Sequence, residues 1–247
     1  QPMDKFSRKR DPKKVVDEIE LYIKKYKVKE ILFYDDTLTL DRNHVVEICN
    51  EIIKRKIKIK WQSPTRVDRV DKPLLELMKK AGCKMLRYGV ESGDKKILSL
   101  MKKGTDLDKI INAFKISKDV GIESFAYFII GYARETRISM RKTINFAKKL
   151  NPDMVMFTIA TPYPKTNLYT LAVEDGLINR DYWKDFTLGK TNKRLPPLTK
   201  DAEKWIKKAY LEFYFRPSFI LKKFKKINSF DALKKNVRGA ISLLSMR

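Results

Sequence analysis

The sequence predicts an α/β protein in which short apolar strands alternate with amphipathic helices, the pattern of a parallel barrel or a doubly wound sheet. Three observations carry this. Five apolar runs alternate with segments of helical period. Four of the helical segments open on Asp, and two close on Gly, at Gly82 and Gly121. Each strand runs directly into a cluster of polar or turn-forming residues. Alternation of this kind favours right-handed crossovers between parallel strands.

Taken in order, Asp11-Pro12 supplies a cap and first turn, and Val15, Val16, Ile19, Tyr22 and Ile23 recur at helical spacing to about Tyr26. Glu30 to Tyr34 reads as a strand ending in Asp35-Asp36-Thr37, and Asp41 opens a second helix through Val45, Ile48, Ile52 and Ile53. Lys58 to Gln62 alternates as a strand, and Asp71-Lys72-Pro73 starts a helix that runs to Gly82. Lys84 to Val90 is the next strand, running into Glu91-Ser92-Gly93, with a helix from about Asp106 to Val120. Ser124 to Ile130 is a strand ending at Gly131, Glu135 to Leu150 a helix, and Met154 to Ile159 a strand ending in Thr161-Pro162-Tyr163-Pro164. After residue 165 the regular pattern fades into polar turns, followed by a helix from Thr199 through Phe215. The expected division is therefore a barrel over 1–165 and a mostly helical extension over 166–247.

The chain has 247 residues and 43% hydrophobic content, ample for a packed core. No stretch approaches the roughly 18 to 20 apolar residues needed to cross a bilayer, and the first residues are charged rather than signal-like, so the cytoplasm is the expected compartment. The net charge of +25 is carried mainly by Lys spread over every helix, which points to a solvated surface rather than nucleic-acid recognition. The segment from Phe219 to Arg247 mixes Ile, Leu and Phe with Lys; it suits an acidic membrane surface or packing back on the barrel. The two cysteines, Cys49 and Cys83, are too few and too far apart for a metal knuckle, and His44 stands alone, so no metal ligand is expected within the chain.

The polar residues converge where function belongs. In parallel barrels the loops after the strands build the active site, and Asp35, Asp36, Arg66, Glu91, Ser92, Gly131, Thr161 and Tyr163 all follow strands. The set suits a zwitterionic nucleoside: Asp35 or Asp36 for an ammonium group, Arg66 as a fork for a carboxylate, Glu91 for ribose hydroxyls, and Gly131 for close approach of a flat base. Three structural alternatives stand beside this reading: Asp36 or Thr37 capping a loop, Arg66 pairing with Asp68, and Glu91 pairing with Arg87. No glycine-rich phosphate loop follows any strand.

These segments, KEILFYDDTLTLD, the run from WQSPTR through VESGDKKILSLMKKGT, FIIGYARET and TIATPYPKTNLY, together closely resemble the radical S-adenosylmethionine (radical SAM) superfamily. The resemblance covers residues 8 to 170 and is strongest to the branch whose members carry a cobalamin-binding domain. It implies a partial (β/α)6 TIM-like barrel lacking its first strand, S-adenosylmethionine and a [4Fe-4S] cluster as cofactors, and cobalamin as a third. It further implies a 5′-deoxyadenosyl radical used for methyl transfer or another change at an unactivated carbon of a lipid or secondary metabolite. An electron donor such as flavodoxin or ferredoxin is the implied partner. By the same resemblance Asp35 and Asp36 lie where the methionyl amine is held, Glu91 and Ser92 at the ribose, Gly131 near the adenine, and Thr161 to Tyr163 at the last strand end.

Two departures from the family pattern stand out. The Cys-x3-Cys-x2-Cys stretch that holds the cluster is absent, and with it the strand that precedes it. Where relatives read Gly-x-Pro-x-Glu-Thr, the chain has Gly131-Tyr132-Ala133-Arg134-Glu135-Thr136, a change expected to relax a turn. The expectation is a truncated core, inactive alone, of an active parent. Two alternatives stay open: a transfer-RNA methylthiotransferase, which would carry a small carboxyl-terminal β-barrel, and a degenerate, non-catalytic binding module.

Overall fold

The computed structural model describes residues 9–192, 195 and 197–224, with Lys234, Arg238, Gly239, Ile241, Leu243 and Ser245 beyond them. Strands β1 (Glu30–Leu32), β2 (Lys60–Thr65), β3 (Cys83–Glu91), β4 (Glu123–Ile130) and β5 (Met154–Ile159) form one sheet in the order β1-β2-β3-β4-β5. The helices are α1 (Pro12–Tyr26), α2 (Arg42–Lys54), α3 (Lys72–Lys80), α4 (Lys95–Leu100), α5 (Leu107–Val120), α6 (Arg137–Leu150), α7 (Asn167–Glu174), α8 (Tyr182–Thr187), α9 (Ala202–Tyr214) and α10 (Pro217–Phe224).

β1 pairs parallel to β2, and β2 parallel to β3. At the far side, Asp153 N–H donates to Ser124 O and Ala160 N–H to Ile130 O, so β4 and β5 also advance together. A parallel sheet whose spatial order equals its chain order has no switch point, which is barrel winding rather than doubly wound winding. The α/β partial-barrel class expected from the sequence is the one observed.

The helix starts follow their caps. The Asp11 carboxylate accepts from Lys13 N at 2.7 Å, Asp41 from His44 N at 3.0 Å, Asp71 from Leu74 N at 2.9 Å and Asp106 from Lys109 N at 2.8 Å. Each satisfies an N–H that the first helical turn leaves unpaired.

Three elements differ from the sequence reading. β2 runs from Lys60 to Thr65, further than the expected Lys58 to Gln62, with Trp61, Ser63 and Thr65 buried. Pro64 is tolerated inside it because the backbone polar groups of Lys60 and Gln62 face β1, and β1 ends opposite Gln62, so the proline falls where the ladder to β1 runs out and costs at most one bond of it. A short helix, α4, follows Glu91-Ser92-Gly93 directly. Beyond β5 the chain is more regular than expected: Thr166 Oγ1 accepts from Tyr169 N at 3.1 Å to cap α7, and Leu168, Leu171 and Ala172 are buried at helical spacing. No strand occurs among the described residues after β5. Of the basic segment from Phe219 onward, α10 and six isolated positions are described; the rest of that reading lies outside the described residues. No described helix is long and apolar enough to cross a membrane.

The chain divides into two compact units. The first comprises Gln1–Val90, Lys103–Tyr127 and Leu150–Val155. Its core includes Val16, Val45, Ile48, Trp61, Leu74 and Leu86. Trp61 is completely buried, its indole N–H donating to Ala81 O at 2.8 Å, and the phenol of buried Tyr88 pairs with Ser117 Oγ at 2.8 Å. The second comprises Glu91–Lys102, Phe128–Lys149 and Met156–Arg247. Ile97, Tyr132, Ala160, Leu168, Leu171 and Ile178 belong to one buried cluster there.

Candidate functional site

In the first unit, Asp35 and Asp36 lie on an exposed segment after β1. The hydroxyls of buried Thr39 and Thr65 bond to each other, tying that segment to the end of β2. Arg66 follows β2, and its fork is already engaged: Nε and Nη2 reach the two carboxylate oxygens of Asp68, each at 2.9 Å, and Nη2 also donates to Lys103 O at 2.9 Å. The guanidinium in turn holds the Asp68 carboxyl below the usual carboxylate range. Of the two sequence readings of Arg66, pairing with Asp68 is the contact observed.

In the second unit, the turn after β3 is anchored more deeply than the sequence suggests. Glu91 adopts a left-handed backbone with φ of 68°. Arg87, the ion-pair partner considered for it, instead donates to Gln62 Oε1. Ser92 is fully buried, its Oγ lying 3.0 Å from Thr143 Oγ1 and accepting from Asp94 N at 3.1 Å. Gly93 N–H donates to the same Thr143 hydroxyl at 3.0 Å. Asp94 caps α4 through Lys96 N and Ile97 N and pairs with Lys142 Nζ at 2.8 Å. Burial alone would raise the pKa of Asp94; the Lys142 ammonium and the two N–H donors hold it below its ordinary value.

The turn after β4 is held by Glu135. Its Oε2 accepts from Gly131 N at 2.6 Å and Tyr132 N at 3.1 Å, while Oε1 is buried with no hydrogen-bond partner among the described residues. Burial pushes the Glu135 carboxyl up to about 7, against the pull of those N–H groups and of Ser139. Gly131 has φ of 81°, and a Cβ there would stand 2.7 Å from Ala202 Cβ of α9; its missing side chain thus serves the packing of α9. The turn stays closed without the family's proline because the Glu135 carboxylate clamps it and Arg134 takes a left-handed backbone with φ of 64°.

After β5, Thr161 and Tyr163 are exposed. Tyr163 stacks on Trp183 with ring centroids 5.4 Å apart, and the Trp183 indole donates to Pro162 O at 2.7 Å. Within the same unit a cavity of about 430 Å³ is lined by charged groups that include Arg134, Arg137, Asp175 and Lys200. None of the eight expected site residues lines it.

The geometry thus leaves Asp35, Asp36, Thr161 and Tyr163 open to solvent, presents Glu91 from a strained turn, and turns Ser92 inward as a brace. Thr143, Asp94 and Trp183 were not singled out by the sequence reading. Thr143 lies on a helix face that reads as ordinary core, and only its distant partners reveal its role.

A family model for the radical SAM superfamily matches residues 2–147. The chain belongs to that superfamily. Among curated proteins, an uncharacterized methyltransferase of Pyrococcus horikoshii is 34% identical over 229 residues, covering 92% of this chain and 50% of that protein. Anaerobic magnesium-protoporphyrin IX monomethyl ester cyclase of Rubrivivax gelatinosus is 37% identical over 164 residues, 66% of this chain and 30% of that protein. The chain therefore spans half or less of the length of these relatives. Among solved structures, the radical S-adenosylmethionine methyltransferase TsrM of Kitasatospora setae, with cobalamin and a [4Fe-4S] cluster bound, superposes with a TM-score of 0.62 at 19% identity, covering 68% of this chain and 32% of that one. That likeness is one of fold.

The residues present answer differently for the two cofactors the superfamily implies. The cluster does not fit them. Cys49 is a buried thiol pushed up to about 12 by desolvation, and burial likewise raises Cys83, so neither offers a thiolate. Among the described residues no three His, Cys, Asp or Glu side chains group as a metal site. The donor chemistry for S-adenosylmethionine is of the right kind in each unit taken by itself: exposed carboxylates at Asp35 and Asp36 in the first, and the Glu91 carboxylate in the second, are acceptors of the sort an ammonium group or a diol needs.

Proposed function

We propose that this chain is the S-adenosylmethionine-binding core of a radical SAM enzyme that transfers a methyl group to, or otherwise modifies, an unactivated carbon of a lipid or secondary metabolite. The observation that carries the reading is the Glu91-Ser92-Gly93 turn, which holds a carboxylate in a left-handed backbone at a strand end against a fully satisfied buried brace. Methyl transfer is supported by the name of the Pyrococcus relative and by the TsrM fold. Dependence on cobalamin rests on the same fold likeness.

Bound S-adenosylmethionine supplies either a transferable methyl group or a 5′-deoxyadenosyl group. In this reading Asp35 or Asp36 accepts from the methionyl ammonium, Glu91 accepts both ribose hydroxyls, the Gly131 turn lies by the adenine, and Thr161 to Tyr163 borders the last strand end. Arg66 reaches the methionyl carboxylate only by giving up Asp68. Ser92 acts from behind, keeping its turn in shape. The domain division proposed alongside is a core over 1–165 and a helical extension over 166–247, with the cluster ligands, an electron donor and the substrate supplied from outside these residues.

The test is anaerobic reconstitution of the full-length gene product with iron and sulfide, followed by calorimetric titration with S-adenosylmethionine. Iron–sulfur absorbance and saturable binding are expected. A product that shows neither overturns the proposal.

A further inference from the structure

We infer that Thr143 on α6 is a positioning residue for Glu91, and that its hydroxyl, acting through the Ser92–Gly93 backbone, sets where the Glu91 carboxylate stands. The inference rests on the proposed role of Glu91 toward the ribose hydroxyls.

Three observations carry it. First, the Thr143 hydroxyl has one proton and two lone pairs, and all three find partners. Its proton goes to Ser139 O at 3.2 Å, and its oxygen accepts Gly93 N–H at 3.0 Å and the Ser92 hydroxyl at 3.0 Å. Ser92 Oγ then remains free to accept Asp94 N–H at 3.1 Å. This is the assignment in which every group is used once, and both side chains are fully buried. Leaving any of these groups unpaired would strand a buried polar group with no bond to offset its lost hydration.

Second, the turn is pressed onto α6 with no slack. A Cβ on Gly93 would fall 2.4 Å from Phe146 Cβ, 2.8 Å from Lys142 O and 2.9 Å from Thr143 Cα, all residues of α6. Lys142 adds an ion pair to Asp94 one residue further on. The backbone on the carboxyl side of Glu91 therefore cannot shift without parting from the helix.

Third, Glu91 itself is in a left-handed conformation that is unfavourable for a residue with a Cβ. Such strain persists only where the surroundings over-determine the backbone, and it concentrates at functional positions. Glycine would relieve it, so a residue with a side chain persists at 91 because its surroundings hold the backbone, and the brace is part of those surroundings. The nearest part of that brace is the pair of bonds that Thr143 makes to the two residues following Glu91.

The test is a double-mutant cycle on S-adenosylmethionine binding, in the full-length gene product, measured by calorimetry. Thr143→Val keeps the shape and removes the hydroxyl. Affinity should fall about five- to tenfold, Thr143→Ser should restore it, and in a Glu91→Ala background Thr143→Val should cause no further loss. A loss of equal size in both backgrounds would mean that Thr143 supports the fold generally, and overturns the inference. So does unchanged affinity in Thr143→Val. If Thr143→Val does not fold, Ser92→Ala breaks the same pair from the turn side and must show the same dependence on Glu91; unchanged binding there also overturns the inference. A wild-type protein that binds no S-adenosylmethionine would instead remove the proposed function, and this inference with it.

Discussion

The carboxylate of Glu135 accepts the backbone N–H of Gly131 at 2.6 Å through one oxygen while its other oxygen is buried with no hydrogen-bond partner among the described residues. A side chain 6% exposed in this state closes a turn while half of its carboxyl stays without a hydrogen bond among the described residues. Burial moves the carboxyl from 4.5 to about 7. An acid whose pKa is higher in the folded chain binds more protons there than when unfolded, so its contribution is fully present below about 4.5 and is lost as pH rises through about 7. The melting temperature should therefore decline across that window, by the equivalent of up to about 3 kcal/mol. Glu135→Gln keeps an oxygen for Gly131 and Tyr132 and should flatten the decline. Parallel profiles for the two proteins from pH 4.5 to 7.5 would show that Glu135 is not the titrating group.

Tyr210 supplies what a neighbouring strand would. β5 ends the strand order, and the Tyr210 hydroxyl accepts Phe157 N–H at 3.0 Å and lies 3.2 Å from Phe157 O, to which it donates. One phenol on α9 thus meets both backbone groups of an edge residue, a way of blunting an edge without adding a strand. Tyr210→Phe keeps the ring contact with Phe157 and removes only these bonds. The expected cost is about 1 kcal/mol, or about 2–4 °C in Tm for a chain of this size, read by thermal denaturation. No change would mean that water replaces the phenol without loss.

Much of this arrangement is legible in the sequence because its causes are local. Asp11, Asp41, Asp71 and Asp106 each announce a helix within three residues, and the apolar runs before Gly131 and Thr161 are strands wherever they lie. α7 was hidden because Thr166 follows a proline-rich turn and its apolar stripe is only Leu168, Leu171 and Ala172. The strand ends were legible as places but not as roles. That Ser92 pairs with Thr143, 51 residues away, and that Ala202 stands where a Cβ on Gly131 would point, is visible only in the fold. Nothing local distinguishes a polar group that faces a ligand from one that braces the residue beside it.

Two glycines with the same backbone handedness should respond unequally to alanine. Gly82 has φ of 96°, and a Cβ there would meet Ile59 O at 2.1 Å and sit beside the Trp61 ring. Gly104 has φ of 65° and nothing within 4 Å of the same point. Gly104→Ala should lose about 1 kcal/mol from left-handed strain alone. Gly82→Ala adds a backbone collision next to the buried Trp61 indole and should lose more than about 3 kcal/mol, since overpacking at a rigid site is added to the strain. Equal losses in urea denaturation would mean that the close approach of β2 to the end of α3 relaxes freely.

Glu91→Gly separates the strain at the β3 turn from the function proposed for it. Glycine removes a left-handed penalty of roughly 1–2 kcal/mol but restores about 0.5–1 kcal/mol of chain entropy to the unfolded state. The two nearly cancel, so Tm should stay within a few degrees of wild type or rise, unlike the usual loss when a glutamate becomes glycine. The carboxylate is gone, however, and S-adenosylmethionine affinity should fall at least tenfold, because two ribose hydroxyls lose a charged acceptor worth about 1.5–3 kcal/mol. Thermal denaturation and calorimetric titration on the same preparation read both effects. A large drop in Tm would show that the Glu91 side chain holds the turn itself, and unchanged affinity would show that it does not meet the ribose.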